Sequence, residues 1–173
     1  AFPPESSHSE DVLAIARRLR TTPDKFLDFS GSANIFAAPL TEGLMRATPY
    51  PFLHYPDDAA EDLIEAIAAH EDLPTDRILP GSGATEILWL FLRGLAPRKT
   101  LLIGPVYSEY VRACQTLGIP FDILVPSAEN DFRCSPDDVN ALWESDADMV
   151  ILCTPNNPTG VVHNWKGLLP MLR

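Results

Sequence analysis

The stretch "RILPGSGATEILWLFLRGLAPRKTLLIG", residues 77–104, runs from a short apolar segment through a glycine turn and an amphipathic segment to a second short apolar segment. "RILP" reads as a short strand and "GSG" as the turn behind it. In "ATEILWLFLRGL" the residues Ile87, Leu88, Phe91, Leu92 and Leu95 recur at helical intervals and can be buried together. "TLLIG" is the next strand. The same order continues downstream: a helix in "SEYVRACQTLG", closed by Gly118; a strand in "PFDILV"; a helix in "PDDVNALWES" with Pro136 in its first turn; a strand in "DMVILC". Strands alternating with helices at this spacing predict an α/β fold built of βαβ units, with a mainly parallel sheet covered by helices on both faces. Such sheets bind ligands in the loops beyond the C-terminal ends of their strands.

Upstream of residue 76 the chain is less regular. Ser7 and Glu10 have capping-box spacing, and Val12, Ile15, Ala16 and Leu19 follow at helical intervals, which predicts a helix over about residues 9–20. "FLDFSGSANIF" reads as an extended or looped segment, 41–47 as a short helix, and "YPFLHYPDD" as a proline-punctuated connector. Asp58 and Glu61 make a second capping-box spacing ahead of a helix carrying Leu63, Ile64 and Ile67 and ending near His70.

Composition excludes several classes of function. The chain has 173 residues, 46% of them hydrophobic, enough for a sizeable core. Its 24 acidic and 13 basic residues give a net charge of −11, with no basic cluster to hold a phosphate backbone, so nucleic acid is not expected as a partner. Cys114, Cys134 and Cys153 form no paired motif, which argues against a disulfide framework and against a zinc or other metal site, and points to a reducing cytoplasm. The apolar run "ILWLFL" is too short to span a bilayer, and "AFPPESSHSE" lacks the pattern of a signal peptide.

Three loops behind predicted strands carry unusual chemistry. Gly81, Ser82 and Gly83 lie at the start of a helix, where unpartnered amides and the helix dipole favour an anion, and the Ser82 and Thr85 hydroxyls add donors. Glu86 stands where a dinucleotide fingerprint needs glycine, and no Gly-Lys-Ser/Thr follows, so two common nucleotide motifs are absent; a plain glycine turn reads the same way. Tyr107, in "PVYSEY", falls just past a strand end, as a ring to stack on a flat heterocycle or as a tyrosine at the rim of the core. In "TPNNPTG" the prolines at 155 and 158 restrain Asn156 and Asn157, and a restrained amide can donate to a ring hydroxyl.

In this order, with "NNPTG" as the most specific string, the loops resemble the first half of the large domain of fold-type-I pyridoxal-phosphate enzymes of the class I/II aminotransferase family. "LDFSGSANIF", "HYPDD", "GSGATE", "LAPRKTLLIGPVYSEY" and "LCTPNNPTG" extend the likeness over nearly the whole chain, toward the branches of threonine-phosphate decarboxylases and histidinol-phosphate aminotransferases. The resemblance implies an N-terminal arm and small-domain segment over residues 1–48 and an incomplete, cofactor-binding large domain over 49–173. It implies pyridoxal 5'-phosphate as cofactor, with Gly83, Ala84 and Thr85 at its phosphate, Tyr107 on its ring and Asn157 at its 3'-oxygen. Tyr55 matches a tyrosine that reaches the cofactor phosphate of a neighbouring subunit, which implies a homodimer with shared sites.

On the substrate side, Asn34 matches an asparagine near the substrate carboxylate; an ungapped match that keeps Pro39 in register puts Ser32 there. His8 matches a histidine that two glycines follow near a substrate phosphate, but here "HSED" replaces the glycines and adds two carboxylates, Glu10 and Asp11, which are unfavourable beside a phosphate. His8 also reads as an exposed residue of the capping region. The chemistry of the family needs a lysine that binds the cofactor and a carboxylate at the ring nitrogen. Lys25, Lys99 and Lys166 each read as solvated surface charges, so the expectation is an N-terminal fragment of a larger decarboxylase or aminotransferase, not catalytic by itself. A short non-catalytic relative serving as a binding or dimerisation partner is the alternative.

Overall fold

The computed structural model describes residues 12–27, 34–47, 55 and 57–164. His8, Ser32, Lys166 and the capping pair Ser7/Glu10 lie outside the described residues, as does the boundary expected at 48/49. The chain divides into two units, one ending at Pro80 and one beginning at Gly81.

The first unit contains helices α1 (Val12–Arg18), α2 (Ala38–Ala47) and α3 (Glu61–Glu71). Each is tied to an adjoining 3-10 turn: Pro23–Lys25 for α1, Ile35–Ala37 for α2 and Thr75–Arg77 for α3. Helix α2 begins three residues before the expected start, because Asn34 caps the preceding turn by accepting the Phe36 amide at 3.1 Å. At α3 the expected cap is displaced. Asp57, not Asp58, accepts the amides of Ala59 (3.0 Å) and Glu61 (2.7 Å), and Ala60 takes a left-handed φ of 51° that turns the chain into the helix. A side-chain oxygen ahead of the first turn serves donors that the helix itself cannot.

The second unit is the predicted α/β layer. Strands β1 (Thr100–Ile103), β2 (Phe121–Leu124) and β3 (Met149–Ile151) form a parallel sheet in the order β2-β1-β3. Helices α4 (Gly83–Leu95), α5 (Ser108–Leu117) and α6 (Pro136–Glu144) alternate with them. All four residues of β1 are buried, as a central parallel strand requires, whereas β2 and β3 at the edges are half-buried or exposed. Gly118 closes α5 with φ 69°, its amide donating to Cys114 and Gln115 carbonyls. Ser135 and Asp138 form a full capping box ahead of Pro136 in α6.

Two expectations are corrected here. "RILP" is not a strand: Thr75–Arg77 is a 3-10 turn and Ile78, although extended (φ −115°, ψ 125°), pairs with no strand among the described residues. An apolar run reads as a strand only if a neighbour takes its hydrogen bonds. Nor does α4 bury all five of its apolar residues. Leu88 and Leu92 pack against Ala113 and Cys114 of α5 and Ile87 is half-buried, while Phe91 and Leu95 stay exposed, because α5 covers the Leu88–Leu92 stripe and not theirs.

The starts of the strands are pinned by charge. Asp148 accepts the amides of Arg98 and Lys99 and the Arg98 Nε, all at 3.1 Å, and these donors hold its carboxyl below the usual range. Lys99 is not a free surface charge as expected. Its Nζ bridges Asp146 at 2.6 Å and Asp122 at 2.8 Å, and hydrogen bonds to Asp122 and Asp146 raise its pKa. The ammonium therefore ties β1 to β2 and to the segment entering β3, at the opposite end of the strands from the loops described next.

Candidate active site

Past the C-terminal end of β1 the chain runs Gly104-Pro105-Val106-Tyr107 and enters α5. Gly104 continues the ladder by donating to the Leu124 carbonyl at 2.8 Å. A Cβ there would meet Ile123 Cγ2 at 3.0 Å and Val125 Cγ2 at 3.1 Å, so glycine lets the crossover leave the sheet without displacing β2. Tyr107 is the N-cap of α5 and half-buried. Its ring meets Tyr110 edge-to-face, centroids 5.8 Å apart and planes at 85°, a favoured aromatic geometry that limits ring tilt. Burial, then the hydrogen bond to Cys153, push the Tyr110 phenol well above its ordinary pKa, so it stays neutral at physiological pH.

Past β3, Cys153 to Gly160 form the second loop. The Cys153 thiol donates to the Pro155 carbonyl at 3.2 Å. Asn156 is 4% exposed, and its Nδ2 donates to the Pro105 carbonyl at 3.0 Å and to Thr159 Oγ1 at 2.9 Å. Its backbone amide donates to the Val161 carbonyl and its carbonyl accepts from Gly160, both at 2.7 Å, closing a turn that Gly160 completes with φ 73°. Asn157, one residue on, is exposed. The Tyr107 and Asn157 loops therefore stand on neighbouring parallel strands and are fastened to each other by Asn156 and Pro105.

Gly83, Ala84 and Thr85 form the first turn of α4, in the same unit, and the Leu88, Leu92, Ala113, Cys114 core ties that helix to the one behind Tyr107. Gly83 takes φ 83° and its amide donates to the Gly81 carbonyl at 2.8 Å. The Glu86 carboxylate accepts the Ser82 amide. The helix geometry then leaves the Ala84 and Thr85 amides without acceptors in the preceding turn. Gly83 and Ala84 are exposed and Thr85 half-buried; the exposed Ser82 makes no side-chain cap. Gly81 is close-packed, since a Cβ would come within 2.7 Å of Ile87 Cδ1.

Tyr55 and Asn34 belong to the first unit. Tyr55 is fully exposed. Asn34 commits its carbonyl oxygen to the Phe36 amide and lines an open groove of about 610 Å³ with Thr41, Glu42, Met45 and Arg46.

Several residues of this region escaped sequence reading. Asn156 is the buried member of the asparagine pair, and the two prolines alone do not say which amide turns inward. Glu86 lies four residues past Ser82, a spacing that marks a carboxylate folding back on the turn. Glu109, in the first turn of α5, is 4% exposed and receives Arg112 Nε and Nη2, both at 2.9 Å. His163 is buried with its Nδ1 3.9 Å from Cys134 Sγ; burial, then Arg133, lower its pKa, and burial raises that of Cys134, so both groups stay neutral. Nothing in the local pattern around His163 distinguishes it from a surface histidine. Among the described residues no group of three or more His, Cys, Asp or Glu side chains could hold a metal ion.

The profile of the family described as aminotransferase class I and II matches residues 42–173. Threonine-phosphate decarboxylase of Salmonella typhimurium is 31% identical over 158 residues, which cover 91% of this chain and 43% of that protein. Histidinol-phosphate aminotransferase of Desulfitobacterium hafniense is 30% identical over 124 residues, 68% of this chain and 34% of that protein. The chain thus spans less than half the length of these relatives. In shape it is similar to histidinol-phosphate aminotransferase of Sinorhizobium meliloti, solved in complex with pyridoxal 5'-phosphate, with a TM-score of 0.66 at 21% identity over 91% of this chain and 44% of that one. It is also similar to L-threonine-O-3-phosphate decarboxylase of Porphyromonas gingivalis, with a TM-score of 0.62 at 24% identity over 79% of this chain and 39% of that one. A family match over most of the chain and a shared α/β fold agree: the chain belongs to the class I and II aminotransferases, whose cofactor is pyridoxal 5'-phosphate.

Proposed function

We propose that this chain supplies cofactor-binding residues to a pyridoxal-phosphate enzyme acting on an amino acid or its phosphate ester, by decarboxylation or by transamination. The observation that carries the reading is the fastening of the Tyr107 and Asn157 loops to each other beyond neighbouring parallel strands, through the Asn156–Pro105 hydrogen bond. The residues present fit the group. A phosphate needs donors at a helix start, and with the Ser82 amide engaged by Glu86 the donors left to an anion are the Ala84 and Thr85 amides and the Ser82 and Thr85 hydroxyls, with Gly83 allowing close approach. A flat heterocycle needs an aromatic face and a donor at its hydroxyl oxygen, and Tyr107 and Asn157 supply these.

When bound, pyridoxal phosphate supplies a ring that accepts electron density from the substrate α-carbon. The chain's own part is to hold and orient that ring: Tyr107 fixes its plane, Asn157 fixes its rotation, and the α4 start anchors its phosphate. Tyr55 reaches the phosphate of a neighbouring subunit in a homodimer. Asn34, with its amide nitrogen left over from the cap, donates to a substrate carboxylate, and Ser32 and His8 are the further substrate-side candidates. Residues 1–48 form the arm and small-domain segment of this reading, and 49–173 the first part of the large domain. The lysine that binds the cofactor and the carboxylate at the ring nitrogen are assigned to the remaining length of the relatives; Lys99 is committed to Asp122 and Asp146 at the far end of the strands.

Titration of the protein with pyridoxal phosphate, followed by the cofactor's visible absorption, tests the reading. A saturable spectral change with no response to ATP or NAD supports it, and nucleotide binding without pyridoxal phosphate binding overturns it. Turnover of threonine phosphate and histidinol phosphate by the full-length protein then separates carbon dioxide release from amino transfer.

A further inference from the structure

We propose that Asn156 is a positioning residue, setting the mutual orientation of Tyr107 and Asn157; the proposal rests on the cofactor reading above. The residue is 4% exposed, and both of its Nδ2 hydrogens are committed within the protein. One goes to the Pro105 carbonyl, two residues before Tyr107, and the other to Thr159 Oγ1 on its own loop. The backbone bonds to Val161 and from Gly160 fix the peptide that joins Asn156 to Asn157. The orientation of the amide is dictated by chemistry, since a flipped group would set Oδ1 against the Pro105 carbonyl, which has no hydrogen to give. One residue therefore clamps the loop of the stacking ring to the loop of the hydroxyl donor. A one-ångström drift between the two loops would spoil simultaneous contact with a rigid ring.

A double-mutant cycle on pyridoxal phosphate affinity in the full-length protein tests this. A single neutral hydrogen bond corresponds to roughly a 2- to 10-fold change, so Asn156→Ala, which loses two, is expected to weaken binding by roughly 4- to 100-fold. Asn157→Ala is expected to weaken binding in the native background and to add less than about twofold in the Asn156→Ala background, because an amide no longer aimed has little left to lose. Should Asn156→Ala not fold, Thr159→Val, which removes one of the two acceptors at nearly constant volume, replaces it in the same cycle. Hydrogen exchange on the cofactor-free protein is the second readout: Asn156→Ala is expected to deprotect segments 104–110 and 154–163 together, and Asn157→Ala neither. Independent, multiplicative effects on affinity, or unchanged exchange in both segments, overturn the positioning role while leaving the cofactor reading intact. A native protein that binds no pyridoxal phosphate overturns both.

Discussion

Asn156 and Asn157 are adjacent and chemically identical, yet one is buried in a clamp and the other exposed at the site. Their difference comes from tertiary partners, chiefly the Pro105 carbonyl 51 residues away in sequence. Gly104 shows the same dependence. Its neighbours Ile123 and Val125 come from the next strand, and Gly104→Val is expected to destabilise the protein by about 1–3 kcal/mol through overpacking, measurable by urea denaturation. His163 gives a pH dependence whose sign follows from its burial. Its folded pKa lies below the ordinary 6.5, so the unfolded chain takes up the proton first; stability is full above about pH 6.5 and falls as pH drops toward the folded pKa. Melting temperature measured from pH 7.5 down to 5 should show this decline in the native protein, and His163→Gln should flatten it. Cys134 and Arg133 face the ring, and neither changes charge in that interval.

Helix α4 was legible as a helix from its spacing, but which of its apolar stripes is a seam was not. Leu88 and Leu92, one turn apart, meet Ala113 and Cys114 and form the core contact, so Leu92→Ala is expected to cost about 2–5 kcal/mol, whereas Leu95→Ala, at an exposed position, is expected to cost much less. Chemical denaturation of the two variants side by side measures the contrast. The junction of β1 and β3 rests on Asp148, whose carboxylate serves two backbone amides and the Arg98 guanidinium. Its folded pKa lies below the ordinary 3.8, so its contribution is present above about pH 3.8 and is lost as pH falls toward the folded value. Asp148→Asn is expected to remove that acid-limb sensitivity and to lower stability at neutral pH, checked by denaturation at pH 7 and pH 3.5. "RILP" illustrates the converse: its residues suit a strand, but no described strand pairs with them.

For the molecule as a whole, the family assignment makes its assembly testable. If Tyr55 serves the neighbouring subunit's cofactor site in a two-fold dimer, subunits carrying Tyr55→Ala and subunits carrying Asn157→Ala should complement when mixed. Random mixing regenerates one intact site per hybrid dimer, or about a quarter of all sites, whereas residues serving the same subunit's site would restore none. Pyridoxal phosphate binding by the mixture, against each variant alone, reads the outcome.

Apart from the strand expected in "RILP", the order of strands and helices, the parallel sheet, the Gly118 helix stop and the loops bearing Gly83, Tyr107 and Asn157 were readable from residues 81–160, because they depend on periodicity, on capping chemistry and on glycine and proline, whose effects act within a few residues. The family resemblance drew on the same local strings. Tertiary structure alone decided the inward turn of Asn156, the capture of Lys99 by Asp122 and Asp146, the burial of His163 beside Cys134 and the choice of Leu88 and Leu92 as the buried seam of α4. In each, the deciding partner lies on another element, tens of residues away or on a packed neighbour, and local pattern carries no record of which side chain a distant carbonyl, carboxylate or apolar face will meet.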